Sequence, residues 1–430
     1  MRLIASRNNM PIKIILINHT FQINYFSRRW KIFAEQYPDV DVTLLAPSRF
    51  KWYGKGYSFG NDSVREASEF DDGNFHRRLY RVKEHDPWGW TSPDFRDIFK
   101  EVQPDVIYYL GFHTQLSLAQ VILVAKKHVP SAKMIAFSMR GPYHNLKLDL
   151  EGLSFNKKIR RTISYLFSKK VLSIVNDNCD AIFCHYPDAL DCFRKEGYKG
   201  PIYMQTQVGV NTEWFHPDDN SRKEIREKYD LGNSFVFGSA TRFTRDKGLF
   251  EIIKALPKDG DWKFLMMGSG TPEQEEELKN AIIQEGLQDK IILPGFVDWY
   301  DMAKYWNAID CAVHVPLTTP TWIETFSLSV VQPMATKKPV IGNTSGSVPY
   351  QIGFNEMIVP EGDIDALKRI LYYAFTHPKE MSEMGEKMYE RTLKSFSVDH
   401  LNKLFYDTIV EDIMTGKYDK NKVDMTKYPD

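Results

Sequence analysis

Cysteine is scarce in this chain, with four among 430 residues: Cys179, Cys184, Cys192 and Cys311. None belongs to a Cys-x-x-Cys pair, which argues against the common zinc and redox motifs. A chain of this length builds a core without disulfide staples, so reduced, buried thiols are expected. An excess of one charge is missing too, with 56 lysines and arginines against 56 aspartates and glutamates. That balance gives no support to nucleic-acid binding, which requires a basic surplus. Long apolar runs are also absent. Residues 12–17 (Ile-Lys-Ile-Ile-Leu-Ile) are far shorter than the roughly 20 apolar residues of a membrane span, and residues 1–10 lack the apolar centre of a signal peptide. The expected location is the cytoplasm or its membrane face.

What is present is an α/β pattern. Apolar residues make up 43% of the chain, enough for a core in each of two domains at about 100–200 residues apiece. Short β-branched or aromatic runs at residues 12–17, 40–45, 105–110, 133–137, 180–184 and 202–204 alternate with amphipathic stretches. The same alternation resumes at 234–238, 262–268, 290–293, 311–315 and 339–341. Near-continuous apolar strands separated by helices predict parallel sheets covered on both faces. The expected organisation is a first domain over 12–215, a turn-rich linker around 217–221, a second domain over 222–397, and a helix at about 398–414 crossing back to the first. Two doubly wound domains predict a ligand cleft at the carboxyl ends of their strands.

Four segments of the second half carry the chemistry. In residues 239–248, Arg242 and Lys247 follow a strand, where two cations can hold a diphosphate. Gly268 and Gly270 follow the next strand and permit close backbone approach. Gly295, Phe296 and Val297 form a turn able to face a flat base. Residues 323–335 read as a polar loop turning into a buried helix near Ser327, so the N–H groups around Thr325, Phe326, Ser327 and Leu328 can meet phosphate. Glu324, a carboxylate next to that anion site, suits sugar hydroxyls or a developing oxocarbenium ion. Gln332 lies two turns further on and can pair with a ribose. Each segment alone is also explained by an ordinary loop or turn; it is their order that is specific.

That order resembles the donor domain of the retaining GT-B glycosyltransferases of family 4, the group 1 glycosyl transferases. The family pattern has an arginine and a lysine after the first strand, a Gly-x-Gly, a Gly-Phe-Val-like turn, and two glutamates eight residues apart. These fall on Arg242 and Lys247, on Gly268 and Gly270, on Gly295 to Val297, and on Glu324 with Gln332. Residues 207–217 are similar to the family's hinge segment. The resemblance covers the chain from Ile12 to about Tyr406, strongly in the second half and loosely in the first. It implies two Rossmann-like domains and a nucleotide-sugar donor, UDP-linked by preference and GDP-linked otherwise. It also implies transfer to a glycan or lipid-linked acceptor in cell-surface polysaccharide or glycoconjugate synthesis, retention of anomeric configuration, and no metal or other cofactor. The implied catalytic residues are Glu324, Arg242 and Lys247, with the leaving phosphate taking the acceptor's proton.

Three departures stand out. Gln332 replaces a glutamate that grips ribose. Residues 18–24 replace a glycine-rich first loop. Arg140 stands where the family often has a histidine. Arg140, His19, His113 and His144 are the acceptor-side candidates. Residues 156–170 form a basic amphipathic helix with two readings: docking on anionic lipid, or a solvated face packed on the sheet. Asp39-Val40-Asp41 has the letters of a metal-binding Asp-x-Asp motif but precedes a strand, and reads as a solvated strand start. Two other functions fit the fold: a sugar phosphorylase or epimerase, and a catalytically silent partner subunit.

Overall fold

The computed structural model describes residues 10–51, 64–85, 89–111, 115–138, 148–185, 187–320 and 322–416. They form two compact units, one running to Gln205 and resuming at Asn402, the other comprising Thr206–Leu401. These junctions differ from the expected 215 and 397 for a physical reason. The Val210 N–H donates to Phe396 O at 2.9 Å and the Val398 N–H to Val210 O at 3.0 Å. Val210 and Phe215 are buried in the second unit's core, so the hinge-like segment belongs to that unit.

The first unit holds an eight-stranded sheet. Its strands are β1 (Ile12–Ile17), β2 (Val40–Pro47), β3 (Phe70–Asp72), β4 (Phe75–Tyr80), β5 (Val106–Leu110), β6 (Lys133–Ser138), β7 (Ala181–Cys184) and β8 (Ile202–Met204). Their spatial order is β8-β7-β6-β5-β1-β2-β4-β3. All neighbours are parallel except β3 with β4. The fully apolar β5 and β7 are buried along their whole length, as strands covered on both faces must be. The chain re-enters this unit within the helix Val398–Asp407, which runs on into a π-helical turn, Thr408–Ile413. Phe405, Ile409 and Ile413 complete the core there, and Phe405 meets Trp30 edge-on at 5.1 Å. Arg29 Nε donates to Asn402 Oδ1 at 3.1 Å and fixes the same seam.

The helix Phe155–Asn178 behaves differently along its length. It packs on the helix Leu116–His128, with Val171, Leu172 and Val175 as its buried residues. Within residues 155–170, Thr162, Ser164, Tyr165, Phe167 and Ser168 are half-buried and the rest are exposed.

The second unit has a six-stranded, all-parallel sheet: β9 (Phe235–Ala240), β10 (Trp262–Met267), β11 (Ile291–Gly295), β12 (Cys311–His314), β13 (Val340–Asn343) and β14 (Ile358–Val359). The order is β11-β10-β9-β12-β13-β14. This is the doubly wound arrangement, with its reversal between the first and fourth strands of the unit. Helix starts are well marked in sequence. Thr271 and Gln274 form a capping box ahead of Pro272 in the helix Pro272–Gln284, satisfying donors the first turn leaves open. Asp218 and Asp363 cap two further helices. All four cysteines are buried. Among the described residues, no helix is long and apolar enough to cross a membrane.

Candidate active site

In the second sheet, strand order reverses between β9 and β12, and ligands of such sheets bind beyond the carboxyl ends at that point. Residues 241–248 follow β9, and residues 315–327 follow β12. The first loop closes with a 3-10 turn, Arg245–Lys247, and Gly248 at φ 71°. A Cβ on Gly248 would lie 1.9 Å from Val315 O, so only glycine lets the two loops meet.

Their meeting brings Lys247 to Glu324. Lys247 Nζ lies 3.3 Å from Glu324 Oε2, with the two side chains only 10% and 11% exposed. The ammonium also lies 3.7 Å from the centre of the Trp322 ring, a cation–π contact. His314, the last residue of β12, brings Nε2 to 3.4 Å from the same carboxylate oxygen, at an angle short of a hydrogen bond. Burial alone would raise the Glu324 pKa. The Lys247 charge, helped by His314, outweighs it and holds the carboxyl down at about 2. Glu324 is thus a fixed anion at neutral pH, suited to hydrogen-bonding or charge stabilisation and not to carrying a transferable proton.

The Glu324 backbone is pinned as firmly. Its carbonyl accepts from the Ser347 N–H at 2.9 Å. Gly346, at φ 50°, passes so close that a Cβ would come 2.0 Å from that oxygen. Three residues on, Ser327 caps the helix Leu328–Ala335 with extended backbone. Here the structure corrects one expectation. The Ser327 N–H is taken by Gln351 Oε1 at 2.8 Å, while Gln351 Nε2 donates to Ser327 O at 2.9 Å. The first-turn N–H groups of Leu328 and Ser329 are those without an acceptor inside the helix. Thr325 and Phe326 are half-buried, and Phe326 packs edge-on against Phe396 at 5.9 Å. The Ser329 hydroxyl donates to Ala240 O and ties the helix start to the end of β9.

The glycine turns lace these loops together. Gly268 adopts φ 140°, and a Cβ there would lie 1.8 Å from Thr241 O. The Thr241 N–H donates to Met267 O at 3.0 Å, the Phe243 N–H to Ser269 O at 3.0 Å and the Gly268 N–H to Gly295 O at 2.9 Å. Gly270 sits beside Gln274, whose Cβ would be 2.9 Å from an added methyl. Past Gly295, Phe296 is 47% exposed and Val297 is buried. Arg242 lies two residues beyond β9 and is half-buried. Gln332 faces the interior: it is buried, and its Oε1 accepts from Trp306 Nε1 at 3.1 Å.

In the first unit, His19 follows β1 in a 3-10 turn capped by Asn18, whose side chain donates to Leu110 O at 2.8 Å. His19 is half-buried, and its partial desolvation lowers the imidazole pKa to about 4. His113, Arg140 and His144 lie outside the described residues. Among the described residues, no group of three His, Cys, Asp or Glu is placed to hold a metal ion. A cavity of about 720 Å³ opens at the far, amino-terminal ends of β9 and β12. The cations there are already engaged: Arg222 and Arg226 pair with Asp310 at 2.6 and 3.4 Å.

Sequence reasoning missed His314, Trp322 and Gln351. His314 left a faint trace as a polar residue closing an otherwise apolar strand. Trp322 and Gln351 left none, because their roles arise only when separate loops meet.

The family model described as glycosyl transferases group 1 matches residues 221–391. A GDP-mannose-dependent alpha-(1-6)-phosphatidylinositol monomannoside mannosyltransferase of Mycolicibacterium smegmatis is 24% identical over 185 residues, which is 41% of this chain and 48% of that protein. The chain spans about half the length of the curated relatives it matches. The structure of a sucrose-phosphate synthase from Thermosynechococcus elongatus superimposes with a TM-score of 0.66 at 14% identity, covering 94% of this chain and 100% of that one. Anabaena HepE, in complex with UDP and glucose, does so with a TM-score of 0.63 at 15% identity, covering 93% and 100%. At these identities the structural likeness establishes the fold. Residues 221–391 therefore match the group 1 glycosyl transferases, within a chain of GT-B fold.

Proposed function

We propose that this chain is a glycosyltransferase that moves a sugar from a nucleoside-diphosphate donor to a glycan or lipid-linked acceptor, with retention of anomeric configuration and without a metal ion. The observation that carries the reading is the buried Lys247–Glu324 pair at the carboxyl ends of β9 and β12. The donor diphosphate lies against Arg242 and Lys247 and the first-turn N–H groups of Leu328 and Ser329. These groups stabilise the leaving phosphate as its bond to the sugar lengthens, charge preorganised where charge develops. Glu324, a permanent anion, holds sugar hydroxyls and faces the positive charge that grows on the ring. A proton acceptor with a pKa near 2 is a poor general base, which favours the leaving phosphate oxygen as recipient of the acceptor's proton. A UDP-linked donor is preferred and a GDP-linked one is the alternative. HepE was solved with UDP, and the mycobacterial relative is GDP-mannose-dependent.

The test is slow donor hydrolysis, with water as surrogate acceptor, across a panel of UDP- and GDP-sugars. The expected result is release of free sugar from one donor, with the donor's anomer appearing first by NMR, in the presence of chelator and lost in Glu324→Ala. Release of the opposite anomer, or undiminished turnover by Glu324→Ala, would refute the retaining mechanism or the Glu324 role respectively. Activity abolished by chelator would refute metal independence.

A further inference from the structure

The helix Phe155–Asn178 is 24 residues long, yet its buried residues all lie in its carboxyl-terminal part, from Val171 onward. Its other end carries four large apolar side chains in the open: Phe155 is 76% exposed, Ile159 44%, Ile163 54% and Leu166 58%. At 3.6 residues per turn these positions fall within about 80° of one another, on a single stripe. Scattered exposed hydrophobics need no explanation, but a continuous stripe on one helix does.

The charges around the stripe define its partner. Residues 155–170 contain six lysines and arginines and no aspartate or glutamate, in a chain that is neutral overall. Lys158, Arg160 and Lys169 project to the flanks of the stripe on the same helical wheel. There their aliphatic stems can lie along an apolar surface while the charged ends reach outward. Lys169 Nζ lies 5.2 Å from the Tyr165 ring, adding an amphipathic aromatic to one flank. Apolar side chains bordered by cations match the two layers of an anionic bilayer face, acyl chains beneath and phosphate above. A protein partner of matching apolar shape would not require a cation excess on both flanks.

We infer that residues 155–170 dock in the plane of an anionic lipid bilayer, with Phe155, Ile159, Ile163 and Leu166 entering the acyl boundary and the flanking lysines and arginine meeting lipid phosphates. The helix lies on the membrane and does not cross it, since its first sixteen residues hold six charges. This inference is independent of the proposed reaction.

The experiment uses the full chain and sedimentation with two vesicle preparations: pure phosphatidylcholine, and equal parts phosphatidylcholine and phosphatidylglycerol. The expected result is co-sedimentation with the mixed vesicles alone, weakened by salt. The Ile159→Ser/Ile163→Ser/Leu166→Ser variant should lose it. Each of Lys158→Gln, Arg160→Gln and Lys169→Gln should weaken partition by about fivefold. These positions are exposed, so an unchanged melting temperature confirms folding. In Phe155→Trp, indole fluorescence should be quenched by brominated acyl chains. Failure to sediment with mixed vesicles, or sedimentation unaffected by the triple variant, overturns the inference. Light scattering that shows a dimer dissociated by the triple variant also overturns it, and assigns the stripe to an interface between copies.

Discussion

Lys247 and Glu324 are 77 residues apart in sequence and 3.3 Å apart in space. The contact forms because Gly248 lets the loop after β9 touch Val315, while Gly346 and Ser347 clamp the Glu324 backbone from the other side. A buried ion pair of this kind is poor value for stability by itself, since desolvation cancels most of the Coulomb gain. Its place at the carboxyl ends of β9 and β12, where ligands of such sheets bind, is better explained by work done on a ligand.

Removing one partner leaves the other charge buried. Glu324→Gln is expected to destabilise the chain by about 3 kcal/mol and to lower kcat at least about 100-fold. The double variant Glu324→Gln/Lys247→Met should recover part of the stability and none of the activity. Urea unfolding and the hydrolysis assay check the two effects separately. Recovery of activity in the double variant would contradict a role for either group in turnover.

The acid dependence of stability has a defined sign. Glu324 has a pKa near 2 in the fold against an ordinary 4.5, so its contribution is complete above pH 4.5 and is lost as pH falls through 2. The contribution is on the order of 3 kcal/mol. Urea midpoints measured from neutral pH downward should fall more steeply in the wild type than in Glu324→Gln. Parallel curves would show that the carboxyl is not held down.

Two glycines with the same backbone and different surroundings separate strain from collision. Gly248 and Gly286 have φ of 71° and 68°, but a Cβ meets Val315 O at 1.9 Å in the first and nothing within 4 Å in the second. Gly286→Ala is expected to cost about 1 kcal/mol, from the left-handed backbone alone. Gly248→Ala should cost several times more or prevent folding. Equal melting temperatures for the two variants would mean that the two loops do not meet as described.

Gln332 offers a further discrimination. Its side-chain oxygen accepts the Trp306 indole N–H, an acceptor role a carboxylate can also fill. Gln332→Glu is expected to fold and to leave donor affinity unchanged or higher. Gln332→Leu orphans a buried donor and should cost about 1–3 kcal/mol. A large drop in donor affinity in Gln332→Glu would show that the amide itself is required.

Much of the second domain was legible in the sequence, because its signals are local. β9, β10 and β12 are near-continuous apolar runs, and Thr271-Pro272 announces a helix start. Arg242, Lys247, Gly268 and Glu324 each sit within a few residues of a strand or helix end, and the order of their segments points to a ligand. What was not legible depends on residues far apart in sequence. Gln351 occupies the Ser327 N–H from 24 residues away, so the helix start offers fewer free donors than its sequence implies. His314 and Trp322 join the site only through folding of the loop after β12. The unit junction moved from 215 to Gln205 because Val210 pairs with Phe396, a contact no local pattern announces. The exposed stripe on residues 155–170 was visible as an amphipathic helix, but only the structure shows that the sheet does not cover it.

The most direct test of the donor site is calorimetric binding of UDP, GDP and ADP to the wild type, Arg242→Ala and Lys247→Ala. The account predicts that one nucleotide, UDP by preference, binds to the wild type and that each variant weakens it about tenfold or more, as loss of a charge-assisted phosphate contact should. Binding of no nucleotide, or binding indifferent to both substitutions, would contradict a diphosphate site at the ends of β9 and β12.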